Sequence, residues 1–144
     1  MNKNLPDKWI RKAVYDVINN ISVDGNTIPC YDSKVTGRNK KPHYVLITTQ
    51  NNIAENVNKC EKQWRSFVLL DIVTTYKNSG NTGSRLLADN ILDEVRNLTD
   101  NLTLDVSSGL EIVWQKDTFP NDIVTITDNN SIYRKFLRIE LYIN

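Results

Sequence analysis

Apolar positions recur at helical spacing in two parts of the chain. The first stripe consists of Ile10, Val14, Val17, Ile18 and Ile21. The second consists of Leu87, Ile91, Val95 and Leu98, widened by Ala88 and Leu92. Spacings of three and four residues place such side chains on one face of a helix, so the pattern predicts a helix over about 7–21 and another after a turn at 78–83.

Alternation with a period of two residues dominates the rest of the chain. Its strongest example spans 63–76, where both faces are apolar near the middle, which predicts a central strand. Residues 133–143 alternate apolar with polar side chains, which predicts a strand with one buried face. Shorter runs rich in β-branched and other apolar residues predict strands at 44–49, 110–114 and 123–126. A turn at 24–26 leads into an extended segment at 27–31.

Two amphipathic helices and a mainly antiparallel sheet would bury each other's apolar faces if both helices lay on one face of the sheet. The sequence therefore predicts the α+β class, as a two-layer sandwich. Its 144 residues suit a single domain over 1–144. The polar segments 33–41 and 51–62 lack a periodic pattern, so we expect both to be loops that are mobile in the free subunit and become ordered on docking.

Composition excludes several classes of protein. Eighteen Lys and Arg face seventeen Asp and Glu, a net charge of +1 that indicates no strongly basic nucleic-acid binder. No apolar run approaches the ~18 residues of a membrane span, and residues 1–15 lack a secretory signal pattern. We therefore expect a protein that stays inside the cell that makes it and has no membrane partner. A disulfide between Cys30 and Cys60 stays open, although reduced thiols are favoured.

The chain offers few groups for catalysis. His43 is the only histidine, and with two cysteines it cannot complete a four-ligand zinc site. Asp71 lies within an apolar strand pattern, where a carboxylate needs a partner, and pairing with Lys or Arg explains it better than catalysis does. Asp89, Asp93 and Glu94 suit a solvated helix face. No glycine-rich phosphate loop occurs. The sequence therefore predicts a protein that is not an enzyme and needs no cofactor or metal.

Other residues are candidates for binding. A basic cluster consists of Lys34, Arg38, Lys40 and Lys41, with Tyr31 and Tyr44 on either side. Cations beside aromatic rings can bind nucleic acid, although a solvated loop is the favoured explanation of the cluster. Trp9, Trp64 and Trp114 are each either core aromatics or anchors of a protein interface. The predicted assembly interface or lumen loop consists of the basic cluster, Trp9, Trp64 and Asp71.

The order of several strings along the chain resembles the tail-completion or tail-terminator proteins of tailed bacteriophages. The strings follow an N-terminal helix and are Tyr31–Asp32, Pro42–Ile47, Trp64, Leu70–Tyr76, Ala88–Ile91 and Arg134–Leu141. They span nearly the whole chain, and the Pro42 string differs from the family's Pro-Tyr-Val strand entry by one inserted residue. The basic segment at 33–41 and the segment at 51–62 are longer than the family's.

The resemblance implies a structural virion protein at the neck, made in the cytoplasm of a bacterial host. Such a subunit would form a ring, expected to be hexameric, between the tail tube or another tail protein and the head-side connector, with DNA passing through the lumen. Two alternatives stay open at this point. One is a ring or adaptor elsewhere in the portal–tail assembly, and the other is a small nucleic-acid-binding α+β module that uses the basic segment 34–41.

Overall fold

The structure is a computed structural model that describes residues 5–32, 41–56, 62–78 and 84–144, without the side chains of Asn56 and Lys62. In this part of the chain two helices and eight strands follow one another, with a short 3-10 turn at Val106–Ser108. Their bounds are α1 Asp7–Ile18, β1 Ile21–Val23, β2 Asn26–Ile28, β3 Cys30–Asp32, β4 His43–Asn56, β5 Lys62–Lys77, α2 Leu86–Thr99, β6 Ile112–Thr118, β7 Ile123–Ile126 and β8 Asn130–Ile143.

Three long strands form the centre of the molecule. β5 pairs antiparallel with β4 on one side and with β8 on the other. The short β3 adds to β4 in parallel, while β6 and β7 both pair antiparallel with β8 at different levels. The result is a six-stranded mixed sheet in the order β3-β4-β5-β8-β6, with β7 also on β8, beside a separate β1–β2 hairpin. β5 is therefore central, as its two-sided apolar pattern predicts.

One face of this sheet carries the hydrophobic core, and we call it the core face. Leu70 of β5 lies opposite Leu137 of β8, and both are fully buried. Successive side chains of a strand point to opposite faces. The same alternation therefore buries alternate residues in the middle of β5 and in the second half of β8, which are Ser66, Val68, Leu70, Ile72, Thr74, Leu137, Ile139, Leu141 and Ile143. The core cluster joins these side chains to the buried stripes of the helices, which are Ile10, Ala13, Val14 and Ile18 in α1 and Ile91 and Val95 in α2.

The predicted fold class is wrong. Strands hold 52% of the described residues and the main sheet is mixed, so the described fold is mainly β and is not a sandwich of helices on a mainly antiparallel sheet. Two features cause the difference. The strands extend well beyond the apolar runs that predict them, and β3 joins the edge in parallel through a three-residue contact with Val45–Ile47. A contact so short leaves no periodic signal in the sequence.

The predicted loop at 51–62 is wrong in its described part. β4 continues to Asn56, and Asn51 and Asn52 lie opposite Phe67 and Ser66 of β5 after an irregularity between Ile47 and Gln50. Asn52 accepts a hydrogen bond from the buried Ser66 hydroxyl, so a polar residue is satisfied inside the sheet. Residues 57–61 lie outside the described residues, as do 33–40, so the mobility expected of both segments stays a prediction.

The end of the first helix and the turn that follows it lie close to where the sequence predicts them. α1 ends at Ile18 rather than at 21, and Asn20 then adopts a φ of 57°, after which Ile21 begins the β1–β2 hairpin. The hairpin turns at Asp24 and Gly25, with φ of 50° and 78°. Positive φ is easy for glycine and tolerable for aspartate, which explains this turn pair.

Candidate interaction surfaces

The face of the sheet opposite the core face, here called the second face, mixes arginines with aromatic rings. Its side chains come from the other half of each alternation, so Phe67 of β5 lies beside Glu140 of β8, and Leu69 beside Arg138. Phe67, Leu69 and Phe136 are half-buried, and none of them belongs to the core cluster. This face is therefore only partly covered by the described residues of the chain.

A buried ion pair lies at the centre of the second face. The Asp71 carboxylate is 1% exposed and pairs with the Arg134 guanidinium, which donates from Nε at 3.2 Å and also from Nη2. Arg134 stacks above Phe136, at 5.4 Å from the ring centroid. The hydrogen bonds that Arg134 donates to Asp71, opposed by burial, raise the pKa of Arg134. The predicted pairing of Asp71 with Lys or Arg is confirmed, and its partner lies on the neighbouring strand β8.

A second cluster extends across the same face toward the end of β6. Arg65 Nε donates to Glu140 at 2.6 Å and lies 5.1 Å from the Phe67 centroid. The Arg138 guanidinium lies over the Phe67 ring, 4.3 Å from its centroid. Arg138 pairs with no carboxylate among the described residues. Cations within about 6 Å of a ring face are attracted by its quadrupole. The cluster therefore combines a rigid aromatic surface with one unpaired positive charge.

The edge formed by β6 and β7 is unusually apolar. Half of the exposed large hydrophobic side chains in the described part of the chain lie between 113 and 126, and they are Val113, Trp114, Phe119, Ile123, Val124 and Ile126. Trp114 is 50% exposed and stacks edge-on against Tyr142, at 5.1 Å between centroids. Exposed aliphatic side chains on an edge strand mark a surface that can pair with another chain.

The structure does not bring the predicted site residues together. Lys34, Arg38 and Lys40 lie outside the described residues, and Lys41 is exposed just before β4. Trp9 and Trp64 are half-buried and pack against the core cluster from different elements. The indole Nε1 of Trp9 is buried and finds no acceptor among the described residues. The interface role predicted for these residues stays a prediction. Trp114, which the sequence also offers as an interface anchor, is more exposed, at 50%.

The groups considered for catalysis occupy structural positions. Burial, opposed by the Pro42 carbonyl, lowers the pKa of His43, whose ring lies 5.2 Å from that of Tyr76. Burial, aided by nearby Asp32, raises the pKa of the Cys30 thiol to about 12. A thiol with so high a pKa is a poor nucleophile at neutral pH. Across the ranges that the structure describes, no three His, Cys, Asp or Glu side chains cluster as metal ligands.

One lysine of the sheet forms an ion pair with the acidic surface of α2. Lys135 of β8 reaches Asp89 at 2.5 Å and Asp122 at 3.0 Å. Burial lowers the pKa of Lys135, but the two carboxylates outweigh it, so its pKa is raised overall. Asp89 therefore ties α2 to the sheet, while Asp93 is exposed. No helix in the described ranges is both long and apolar enough to cross a membrane.

Comparisons with known proteins place this fold. No protein-family model matches the sequence, and no characterised protein matches it significantly. Among solved structures, a chain of the virion of a native gene transfer agent (GTA) particle is similar with a TM-score of 0.60 and 14% sequence identity. The similarity covers 94% of this chain and 96% of that chain. The mixed sheet with its two helices is therefore a fold that a virion particle uses.

Proposed function

We propose that the chain is a structural subunit of a tailed-phage virion, and that it forms a ring at the neck between the tail and the head-side connector. The observation that carries the proposal is the likeness in fold, over nearly the whole length of both chains, to a chain of a gene transfer agent virion. The ordered strings that resemble tail-terminator proteins support the same role. A hexameric ring is the form that this resemblance implies.

The surfaces fit an assembling subunit better than an enzyme. The apolar β6–β7 edge and the arginine–aromatic second face are both binding surfaces, since aromatics and arginine are enriched at interfaces. A ring needs two different surfaces on each subunit, because each copy meets the next head-to-tail. The proposed partners are other copies of this chain, the tail tube or another tail protein, and the head-side connector, with passing contact to DNA in the lumen.

Assembly in solution tests the proposal. The mass of the purified 16.6 kDa protein would be measured by light scattering after size exclusion, across a concentration series, with negative-stain images of large species. A ring of six copies has a mass of about 100 kDa, and ring-shaped particles of that mass are the expected result. A strict monomer that binds DNA, with affinity falling steeply as salt rises, would contradict the proposal and favour the nucleic-acid-binding module.

A further inference from the structure

In the described part of the chain, the main sheet has two edges without a further partner strand, one on the second half of β4 and one on β6. The two edges lie at the ends of the same cross-strand row. The register places Ile53 of β4 beside Arg65 of β5, Arg65 beside Tyr142 of β8, and Tyr142 beside Trp114 of β6. These four residues form one row across the second face. Its two ends, Ile53 and Trp114, lie on strands that have no further partner strand at this level within the described ranges.

The two edges are matched in length and direction. β3 pairs only with Val45–Ile47, so the stretch 50–56 of β4 pairs with β5 alone among the described residues. On the other side, β6 spans seven residues and pairs with β8 alone. Since β4, β5, β8 and β6 alternate in direction, β6 runs opposite to β4. A second subunit in the same orientation would therefore present its β4 edge antiparallel to the β6 edge of the first.

Exposed apolar side chains accompany both edges. Ile53 is 44% exposed, Val113 is 54% exposed and Trp114 is 50% exposed. An exposed apolar edge strand is a template for pairing with another chain unless charge or proline protects it. Pairing the two edges with Ile53 opposite Trp114 keeps each face continuous, and an aromatic beside a β-branched residue is a favourable cross-strand pair.

We propose that the stretch 50–56 of β4 in one copy adds to the β6 edge of the next copy, joining the sheets of neighbouring subunits into one antiparallel ladder. The occupant of the β6 edge is thus a second copy of this chain. Each chain carries both edges, at the two ends of one cross-strand row and with opposite strand directions. One rotation can therefore relate every copy to the next and repeat the same contact. This inference rests on the proposed ring and names the residues that join its subunits.

Disulfide trapping tests the contact directly. Ile53→Cys and Trp114→Cys would be combined in a Cys60→Ser background, while the buried Cys30 has a pKa of about 12 and reacts slowly. On mild oxidation the double variant is expected to form a ladder of covalent oligomers on a non-reducing gel. A mixture of the two single variants is expected to stop at dimers, because each copy then offers only one reactive edge. Lys116→Cys replaces Trp114→Cys to detect pairing shifted by two residues.

A matched control uses a thiol away from both edges. Val106 is 95% exposed in the 3-10 turn, so Ile53→Cys with Val106→Cys is equally accessible and is expected to give no ladder. Val113→Lys is expected to reduce self-association of the otherwise native chain at least tenfold, whereas Val106→Lys should leave it unchanged. Circular dichroism of each variant shows whether the fold is kept.

The outcomes separate this contact from the proposed function. Rings of the native chain that give no ladder with either cysteine pair, and that tolerate Val113→Lys, would overturn the edge contact and leave the ring role standing. A ladder that grows into open fibres without rings would support the contact and contradict the ring. A native chain that stays monomeric and gives no ladder would overturn both.

Discussion

The core face and the second face of the main sheet come from the same strands, yet one subunit completes them to different degrees. On the core face, Leu70, Leu137 and Ile139 are fully buried, with no charge among them. On the second face, a buried carboxylate needs Arg134, and Phe67 remains half-buried under arginines. The core face therefore supplies most of the stability of the chain, while the second face and its edges are only partly covered by the described residues.

Truncation of adjacent leucines would measure this difference most directly. Leu70→Ala opens a cavity in the fully buried core face and is expected to cost about 2–5 kcal/mol of unfolding free energy. Leu69→Ala, on the half-buried second face, is expected to cost about 1 kcal/mol. Urea denaturation of both variants checks this, and equal losses would show that the second face is as completely packed as the core face.

Breaking the central ion pair should have the next largest effect. Arg134→Met leaves the buried Asp71 carboxylate without its cation and is expected to cost about 2–3 kcal/mol, less than for a wholly buried pair because the Arg134 side chain is 38% exposed.

The double variant Arg134→Met with Asp71→Leu serves as the control for that loss. It removes both charges and is expected to recover most of the lost unfolding free energy, as replacement of buried pairs by apolar residues often does. If the double variant is as unstable as the single one in urea denaturation, the ion pair does not explain the cost.

Removing Arg138, which pairs with no carboxylate among the described residues, should have a smaller effect. Arg138→Ala loses the stacking over Phe67 and is expected to cost about 0.5–1 kcal/mol. Arg138→Lys keeps the charge but not the planar guanidinium, so its stability should lie between that of the native chain and that of Arg138→Ala. Thermal unfolding at fixed salt measures the series, and a more stable Arg138→Ala variant would contradict the attractive role assigned to this contact.

The smallest expected effect is the pH dependence from His43. Burial lowers its pKa in the folded state, so the unfolded chain binds the proton more tightly, and stability declines as pH falls through about 6.5 toward the folded pKa. His43→Gln should remove a few tenths of a kcal/mol of this decline. Denaturation midpoints at pH 7.5 and 5.5 measure it, and an identical decline in the variant would assign the effect to another group.

The parts of the fold that the sequence predicts are those set by local periodicity. The two-sided apolar pattern of β5 correctly predicts a central strand, and the alternation in β8 correctly assigns Ile139 to the buried face. The helical stripes correctly place Ile10 and Ile91 in the core. The predicted class was wrong in part because residues 51–62 were predicted to be a polar loop, although 51–56 pair with β5 as the end of β4. Tertiary pairing overrides weak strand propensity there.

The candidate surfaces were harder to predict, because they depend on residues distant in sequence. Asp71 and Arg134 meet only through the pairing of β5 with β8, 63 residues apart. The row from Ile53 to Trp114 requires the register of four strands at once. The exposed run from Val113 to Ile126 did carry a signal, since an aliphatic strand at an edge leaves its side chains uncovered, but periodicity alone cannot show which strand is at an edge.

The length of the three central strands has a mechanical consequence. β5 has 16 residues and spans about 50 Å, and it is paired along nearly its whole length with β8. Hydrogen bonds between antiparallel strands lie perpendicular to them, so a pull along the strand direction loads the whole ladder together rather than one bond at a time. A subunit held between two larger bodies along this direction would resist tension in shear, whereas a pull across the strands would open the sheet from its edge.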